Sequence, residues 1–236
     1  MLYWKAVRLV MENDIVDTFV APACHGQIRI LFEDEHYLII DKPSGLLCLS
    51  GKNPLNKDSV HYRLVQIYPN ALMVHRLDFG TSGIMVVALN KAANANLARQ
   101  FQQRTVTKTY IAVLNGHVSN EQGVVDAPIA KDPPNFPLQK ICMEFGKASL
   151  SRYSVVDRLS NPSRTRVLFT PETGRTHQLR IHSREMGHPI LGCDLYGTEQ
   201  THAMASRLLL HAATLDFDHP VTGKRITAEC LSLIHI

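Results

Sequence analysis

Cysteines are few and scattered. The five, at 24, 48, 142, 193 and 230, form no C-x-x-C pair. An odd, dispersed set in a chain of this size excludes a disulfide framework or a zinc ribbon, and it suits a reducing compartment, so a cytoplasmic location is expected. Long apolar runs are also missing. The longest covers six residues, 84–89, against about 18 for a membrane-spanning helix, so no membrane association is expected. The amino terminus carries Glu12, Asp14 and Asp17 without an apolar core, which is not a secretory signal. No Gly-x-Ser-x-Gly elbow, Gly-x-x-x-x-Gly-Lys-Ser/Thr loop or Gly-x-Gly-x-x-Gly turn occurs. Acyl-enzyme hydrolysis and nucleotide-cofactor chemistry are therefore disfavoured. Repeats and low-complexity tracts are absent too, which removes solenoids.

Acidic residues are the other shortage, but only locally. Between Phe79 and Asn120 there is none, while Lys91, Arg99, Arg104 and Lys108 are present. Residues 1–41 show the reverse, with three basic against seven acidic side chains in a chain whose net charge is +4. A long acid-free stretch with spaced cations fits either a phosphate-facing surface or a solvated basic helix face. With 236 residues, the chain makes one large domain or two small ones.

Alternation at Ile28, Ile30 and Phe32, then an apolar run at 37–40, predicts two strands around the Glu33-Asp34-Glu35 turn. Lys42-Pro43-Ser44-Gly45 is a turn. Val60, Leu64 and Ile67 have helical spacing behind Asp58 or Ser59 as N-cap. Strands at 73–75 and 84–88 flank a loop over 76–83, and Asn90 caps a helix reaching about Gln103. A strand at 110–114 follows. Four prolines between 126 and 137 predict a long surface loop. Further strands are expected at 149–157, 166–169, 208–210 and 215–217, with a short helix from about Thr176 that Gly187 ends. Strands arrive in adjacent pairs and helices are few. The expected fold class is α+β, with a mixed, largely antiparallel sheet flanked by helices and loops.

Twelve histidines invite a metal reading. His177 and His182 are five apart, whereas a helical ligand pair needs four, and no Cys or carboxylate joins His75, His188, His211 or His219 at ligand spacing. No metal site is expected. Two segments remain. His75-Arg76-Leu77-Asp78-Phe79-Gly80-Thr81-Ser82-Gly83 places a carboxylate between apolar strands. Asp78 is then either a turn residue or a nucleophile or base on a rigid loop, with Arg76 near an anionic ligand. Thr173-Gly174-Arg175-Thr176-His177-Gln178-Leu179-Arg180 places cations at a helix start. That is either an anion site, with Arg180 pairing a buried carboxylate, or a basic surface helix.

These residues resemble a known family. His75-Arg76-Leu77-Asp78 with Thr81-Ser82-Gly83 is similar to the signature loop of the RluA-type pseudouridine synthases. Asp41-Lys42-Pro43-Ser44-Gly45, Lys108-Thr109-Tyr110 and 173–182 are similar to further motifs of that family. So are 187–192, Leu195-Tyr196-Gly197 and 207–212, and all stand in the family's order over about 28–228. The resemblance implies a pseudouridine synthase fold with a catalytic groove across the sheet. It implies isomerisation of uridine to pseudouridine in RNA, without metal, nucleotide or other cofactor. Asp78 would be the catalytic aspartate, Tyr110 would pack against the target base, and Arg180 would form an ion pair with Asp78. Arg76 would enter the RNA where the uridine leaves the stack; Arg175, His177 and Lys108 are the other expected RNA contacts. The partners would be large-subunit ribosomal RNA, tRNA or both. A non-catalytic RNA-binding protein of the same fold is the alternative, but it would need Asp78, Tyr110 or Arg180 to be lost.

Three segments follow: an extension at 1–27 without the basic S4 domain many relatives carry, a catalytic domain at 28–229, and a tail at 230–236 that departs from the family pattern and reads as non-native. Gly192-Cys193-Asp194 also departs, with the acid displaced by one residue; a tolerated change in a supporting loop is expected there. Nothing suggests an obligate dimer, so a monomer is expected.

Overall fold

The computed structural model describes residues 19–231; the expectations for 1–18 and 232–236 fall outside them. In chain order the elements are β1 (Arg29–Glu33), β2 (Tyr37–Lys42), α1 (Val60–Val65), β3 (Leu72–Met73), β4 (Ser82–Ala88), α2 (Lys91–Gln103) and β5 (Thr107–Asn115). Then come β6 (Gln122–Asp126), β7 (Ile129–Lys131), β8 (Gln139–Ile141), β9 (Leu150–Ser160) and β10 (Ser163–Pro171). The chain continues with α3 (Gln178–Glu185), α4 (Glu199–Ala203), β11 (Leu210–Asp218) and β12 (Arg225–Glu229).

Local chemistry explains the helix starts. Ser59 Oγ accepts from the Tyr62 amide at 3.1 Å, and Asn90 Oδ1 accepts from the Ala93 amide at 2.9 Å. Each cap satisfies one of the donors that a helix start leaves open. In α2 the buried residues Ala93, Leu97 and Gln100 recur at three- and four-residue spacing, so the helix packs one stripe onto β4 and β11.

The main sheet runs β1-β2-β4-β11-β5-β10-β9-β6, with β3 on β4 and β12 on β11. Among the pairings between the described strands, only β11 with β4 is parallel, and only at His211↔Ser82 and Ala212↔Gly83. The largely antiparallel mixed sheet expected from the sequence is thus present. That short parallel contact joins two half-sheets, each with its own core. Tyr37, Leu38, Ile40, Leu64, Met85, Leu97 and Phe217 fill one core, and Leu114, Val167, Phe169, Leu179, Ile190 and Leu210 fill the other. Tyr110 packs against both. Gly83 is what allows the junction. Its φ is +115°, and a Cβ there would lie 2.2 Å from the Ala212 carbonyl oxygen, a clash on top of a backbone conformation disfavoured for L residues.

Several expectations need correcting. The proline-rich stretch is not a plain loop. It folds into the β7–β8 hairpin, a separate two-stranded sheet closed by a 3₁₀ turn at Pro133–Asn135. Of the expected strands at 208–210 and 215–217, the first is strand only at Leu210, and the two are joined in one strand, β11, whose pairing with β5 shifts register between Ala212 and Thr214. Helix α3 begins at Gln178 rather than Thr176, since His177 takes a left-handed conformation, φ 57°. Cys230 is buried, with its amide on the Ala213 carbonyl at 2.7 Å, so pairing extends past the expected domain end at 229.

The junction makes a direct prediction. Gly83→Ala should lower unfolding free energy by about 3 kcal/mol or more, through strain and overlap together. Urea denaturation measures it, and an unchanged midpoint would contradict the close approach of β4 and β11.

Candidate active site

Residues 76–83 cross the top of the junction, held from below on both sides. On one side Lys42, at the end of β2, is completely buried and donates from Nζ to the carbonyls of Pro43 at 2.9 Å and Phe79 at 3.2 Å. The Gly45 amide donates to the same Phe79 carbonyl at 2.9 Å, and Ser44 Oγ donates to the Gly80 carbonyl at 2.6 Å. Cys48 grips Leu77, its sulfur 3.2 Å from the Leu77 carbonyl and 3.3 Å from the amide. On the other side, Ser82 Oγ lies 2.9 Å from His211 Nδ1, whose Nε2 is 2.8 Å from the Cys230 carbonyl. His75 enters the loop stacked on Phe101, ring centroids 4.5 Å apart, and accepts from the Val86 amide at 3.1 Å. Burial, aided by the Lys108 ammonium, pushes His75 down to about 3, which leaves it a neutral acceptor.

Asp78 sits at the crest of this loop, half-buried, and lines two cavities. The smaller, about 100 Å³, also has Arg76, Thr81, Lys108, Tyr110 and Arg175 in its walls. The larger, about 920 Å³, is lined by Arg76, His177, Arg180, Asp194 and an apolar rim that includes Phe79 and Phe136. The expected residues are therefore brought together: Arg76 and Asp78 face both spaces, Lys108, Tyr110 and Arg175 the small one, and His177 and Arg180 the large one.

Electrostatics reflect the shared wall. Burial, then the Asp78 carboxylate, raises the Tyr110 phenol, so Tyr110 stays protonated. Burial, then the nearby Arg104 guanidinium, lowers Lys108. Loop 173–178 owes its shape to Gln178. Its Oε1 accepts from Thr173 Oγ1 at 2.7 Å and the Arg175 amide at 2.9 Å, and its Nε2 donates to the Leu150 carbonyl at 3.0 Å. His177 is one of two described non-glycine residues at positive φ, a conformation that costs about 1–3 kcal/mol and clusters at functional sites.

One expectation fails in its detail. Arg180, only 4% exposed, pairs with Asp194 through Nη2 rather than with Asp78, and its Nε donates to Cys193 Sγ at 3.3 Å. The Tyr196 ring lies 5.3 Å from its guanidinium carbon. Asp78 acts on Arg180 only through space, as one of the charges that raise it against the lowering effect of burial. The displaced acid of Gly192-Cys193-Asp194 thus reaches the site itself, so that segment does more than support a loop.

Known proteins match this arrangement. A family model described as RNA pseudouridylate synthase covers residues 36–185. The chain is 48% identical over 201 residues to the dual-specificity RNA pseudouridine synthase RluA of Yersinia pestis, covering 85% of this chain and 97% of that protein. For the RluA of Escherichia coli K12 the identity is 48% over 198 residues, with coverage of 84% and 90%. Among solved structures, human RNA Pseudouridylate Synthase Domain Containing 1 superposes with a TM-score of 0.74 at 28% identity, over 89% of this chain and 86% of that one. The chain belongs to the RNA pseudouridylate synthase family.

This synthase is an isomerase. Sequence reasoning singled out Asp78 as the expected catalytic residue but gave no account of what holds its loop. Lys42 and Ser44 hold that loop from a turn whose motif was visible without a role, and Cys48 holds it from just beyond the turn. No group of three or more His, Cys, Asp or Glu residues in metal-binding proximity occurs among the described residues.

Lys42 yields a pH prediction. Burial lowers its ammonium to about 8 from the usual 10.5. Because the folded value lies below the unfolded one, the group's contribution to stability is greatest above pH 10.5. It is lost as pH falls to about 8. Lys42→Met should remove that pH dependence from the unfolding free energy and lower activity by loosening the Phe79 carbonyl. Denaturation of both proteins between pH 7 and 11 checks it, with parallel curves as the contrary result.

Proposed function

We propose that the synthase everts a uridine into the small cavity beside Asp78, with the base against Tyr110 and the sugar facing the carboxylate. The observation that carries this is the single carboxylate shared by two cavities, one sized for a base and one large enough for the strand that delivers it. Everting a base costs a few kcal/mol. Stacking on an aromatic ring returns about 1–3 kcal/mol, and cation contacts to phosphate add to it. Lys108 and Arg175 are positioned for those contacts beside the small cavity. Arg76, exposed and facing both spaces, takes the place the base vacates. His177 contacts the strand from the large cavity. Arg180, held by Asp194 in the free enzyme, supplies positive charge beside Asp78.

The Asp78 carboxylate then either attacks the sugar or abstracts a sugar proton to begin glycal formation. Either path frees the base to rotate and rejoin through carbon, and the hydrogen on that carbon leaves as a proton. Side chains of the site supply every role, with no metal or nucleotide cofactor. The substrates are stem-loops of large-subunit ribosomal RNA, tRNA or both, a reading that the name of the RluA relatives, dual-specificity RNA pseudouridine synthase, supports only as to RNA. The enzyme acts as a cytoplasmic monomer; no described helix is long and apolar enough to cross a membrane.

Asp78→Asn should abolish tritium release from RNA labelled at uridine carbon 5 while leaving RNA binding within about threefold of wild type. Undiminished release by the variant would end the assignment. For binding, Lys108→Met should flatten the slope of log affinity against log salt by about 1, as loss of one phosphate contact requires. A slope equal to wild type would remove Lys108 from the RNA interface.

A further inference from the structure

Tyr196 stands behind the site rather than in it, yet it touches three parts of it. Its hydroxyl is 2.9 Å from the Gln139 amide on β8 and 2.7 Å from His177 Nδ1, and its ring lies under the Arg180 guanidinium. The Gln139 N–H can only donate, so the phenol oxygen accepts that bond. The phenol proton then needs an acceptor, because Tyr196 is 4% exposed and a buried donor left unpaired is costly. Among the described residues, His177 Nδ1 is the acceptor available. Tyr196 therefore donates to Nδ1, and the imidazole carries its proton on Nε2. That nitrogen has no partner among the described residues, on a side chain that lines the large cavity. The backbone at His177, just before α3, is left-handed, φ 57°.

We infer that Tyr196 is a positioning residue that fixes His177 as the neutral Nε2–H tautomer, and that this N–H donates to an oxygen of the everted nucleotide beside Asp78. The inference rests on the proposed reaction and adds a substrate-contacting donor to it. A fixed N–H aimed at an oxygen on which charge develops stabilises the transition state without reorganisation. His177 faces Asp78 and Arg76 on the loop, Arg180 on α3, and Asp194 and Tyr196 on the following segment. Burial, the largest influence, lowers its pKa, and Asp78 opposes that. The neutral ring is thus the resting form, and Tyr196 donation favours it further.

The test combines substitution with a tautomer measurement. Nitrogen-15 spectra of the full chain should show His177 protonated at Nε2 alone, and Tyr196→Phe should give a mixture. His177→Ala should lower kcat about 10- to 100-fold. His177→Gln, whose amide N–H reaches a similar point, should stay within about fivefold of wild type. Tyr196→Phe removes a bond to the neutral ring and so raises the His177 pKa; the acid limb of its kcat profile should move to higher pH. In a His177→Gln background, Tyr196→Phe should cost almost nothing more, because the two residues act through one contact. Wild-type kcat in His177→Ala, or an Nδ1–H tautomer in the free protein, would overturn the inference. So would a Tyr196→Phe pH profile superposable on wild type, or a loss that adds fully to that of His177→Gln, which would assign Tyr196 to anchoring β8. Wild-type tritium release is the control: if it is absent the reaction itself is misassigned, and if it is present only the tautomer claim is at stake.

Discussion

Two backbone carbonyls, those of Phe79 and Gly80, carry the grip on which the site depends. Lys42 Nζ and the Gly45 amide share the first, and Ser44 Oγ takes the second. A buried ammonium with no carboxylate bonded to it is an expensive way to hold a loop, since burial alone lowers its pKa toward 8. Its use is geometric. Charge-assisted bonds to carbonyls are stronger than neutral ones and fix direction, and the Phe79 carbonyl that Lys42 fixes lies one residue beyond Asp78. With Cys48 on Leu77 and His211 on Ser82, most of the loop has a partner below it. The carboxylate above accepts no hydrogen bond among the described residues.

The charges around that carboxylate fall into two groups. Arg180 is compensated by Asp194 and desolvated, so it is rigid in the free protein. Arg76, Lys108 and Arg175 line the small cavity without a salt-bridge partner among the described residues, and mutual repulsion of this kind is relieved only when an anion arrives. On the proposed function, the first group sets geometry and the second supplies affinity. That division agrees with an enzyme that binds a polyanion and does chemistry at one sugar.

Much of this was legible in the chain itself. Asn90 and Ser59 announced their helices, and alternation marked β1. The paired strands implied an antiparallel sheet, and Asp78 stood out because it lies between two apolar runs. What could not be read depends on distance in space. Nothing near Lys42 in sequence shows that its ammonium meets a carbonyl 37 residues later. The Arg180 pair was misjudged because Asp78 and Asp194 are both suitable acids, and only the path of residues 190–196 decides which is nearer. The β7–β8 hairpin was hidden because prolines suppress strand signals, although Pro133 and Pro134 sit in the 3₁₀ turn and leave the ladder intact. His177 was taken as an ordinary helical residue, since left-handed backbone at a non-glycine residue has no local signature in the sequence.

The hairpin and the half-sheet junction belong to one design. A junction made of two parallel register positions is a weak seam by itself, and weak seams admit relative motion that a catalytic carboxylate cannot tolerate. Tyr110 packs into both cores across that seam, so a residue that lines the small cavity also ties the halves together. Tyr196 does the same for the hairpin, joining β8 to α3 through one hydroxyl. One residue that lines the site and one that stands behind it thus hold the elements in register. A substrate pressing on them meets the stiffness of the whole sheet, which is how a loop on a sheet edge can hold a reacting carboxylate to within the fraction of an ångström that such chemistry requires.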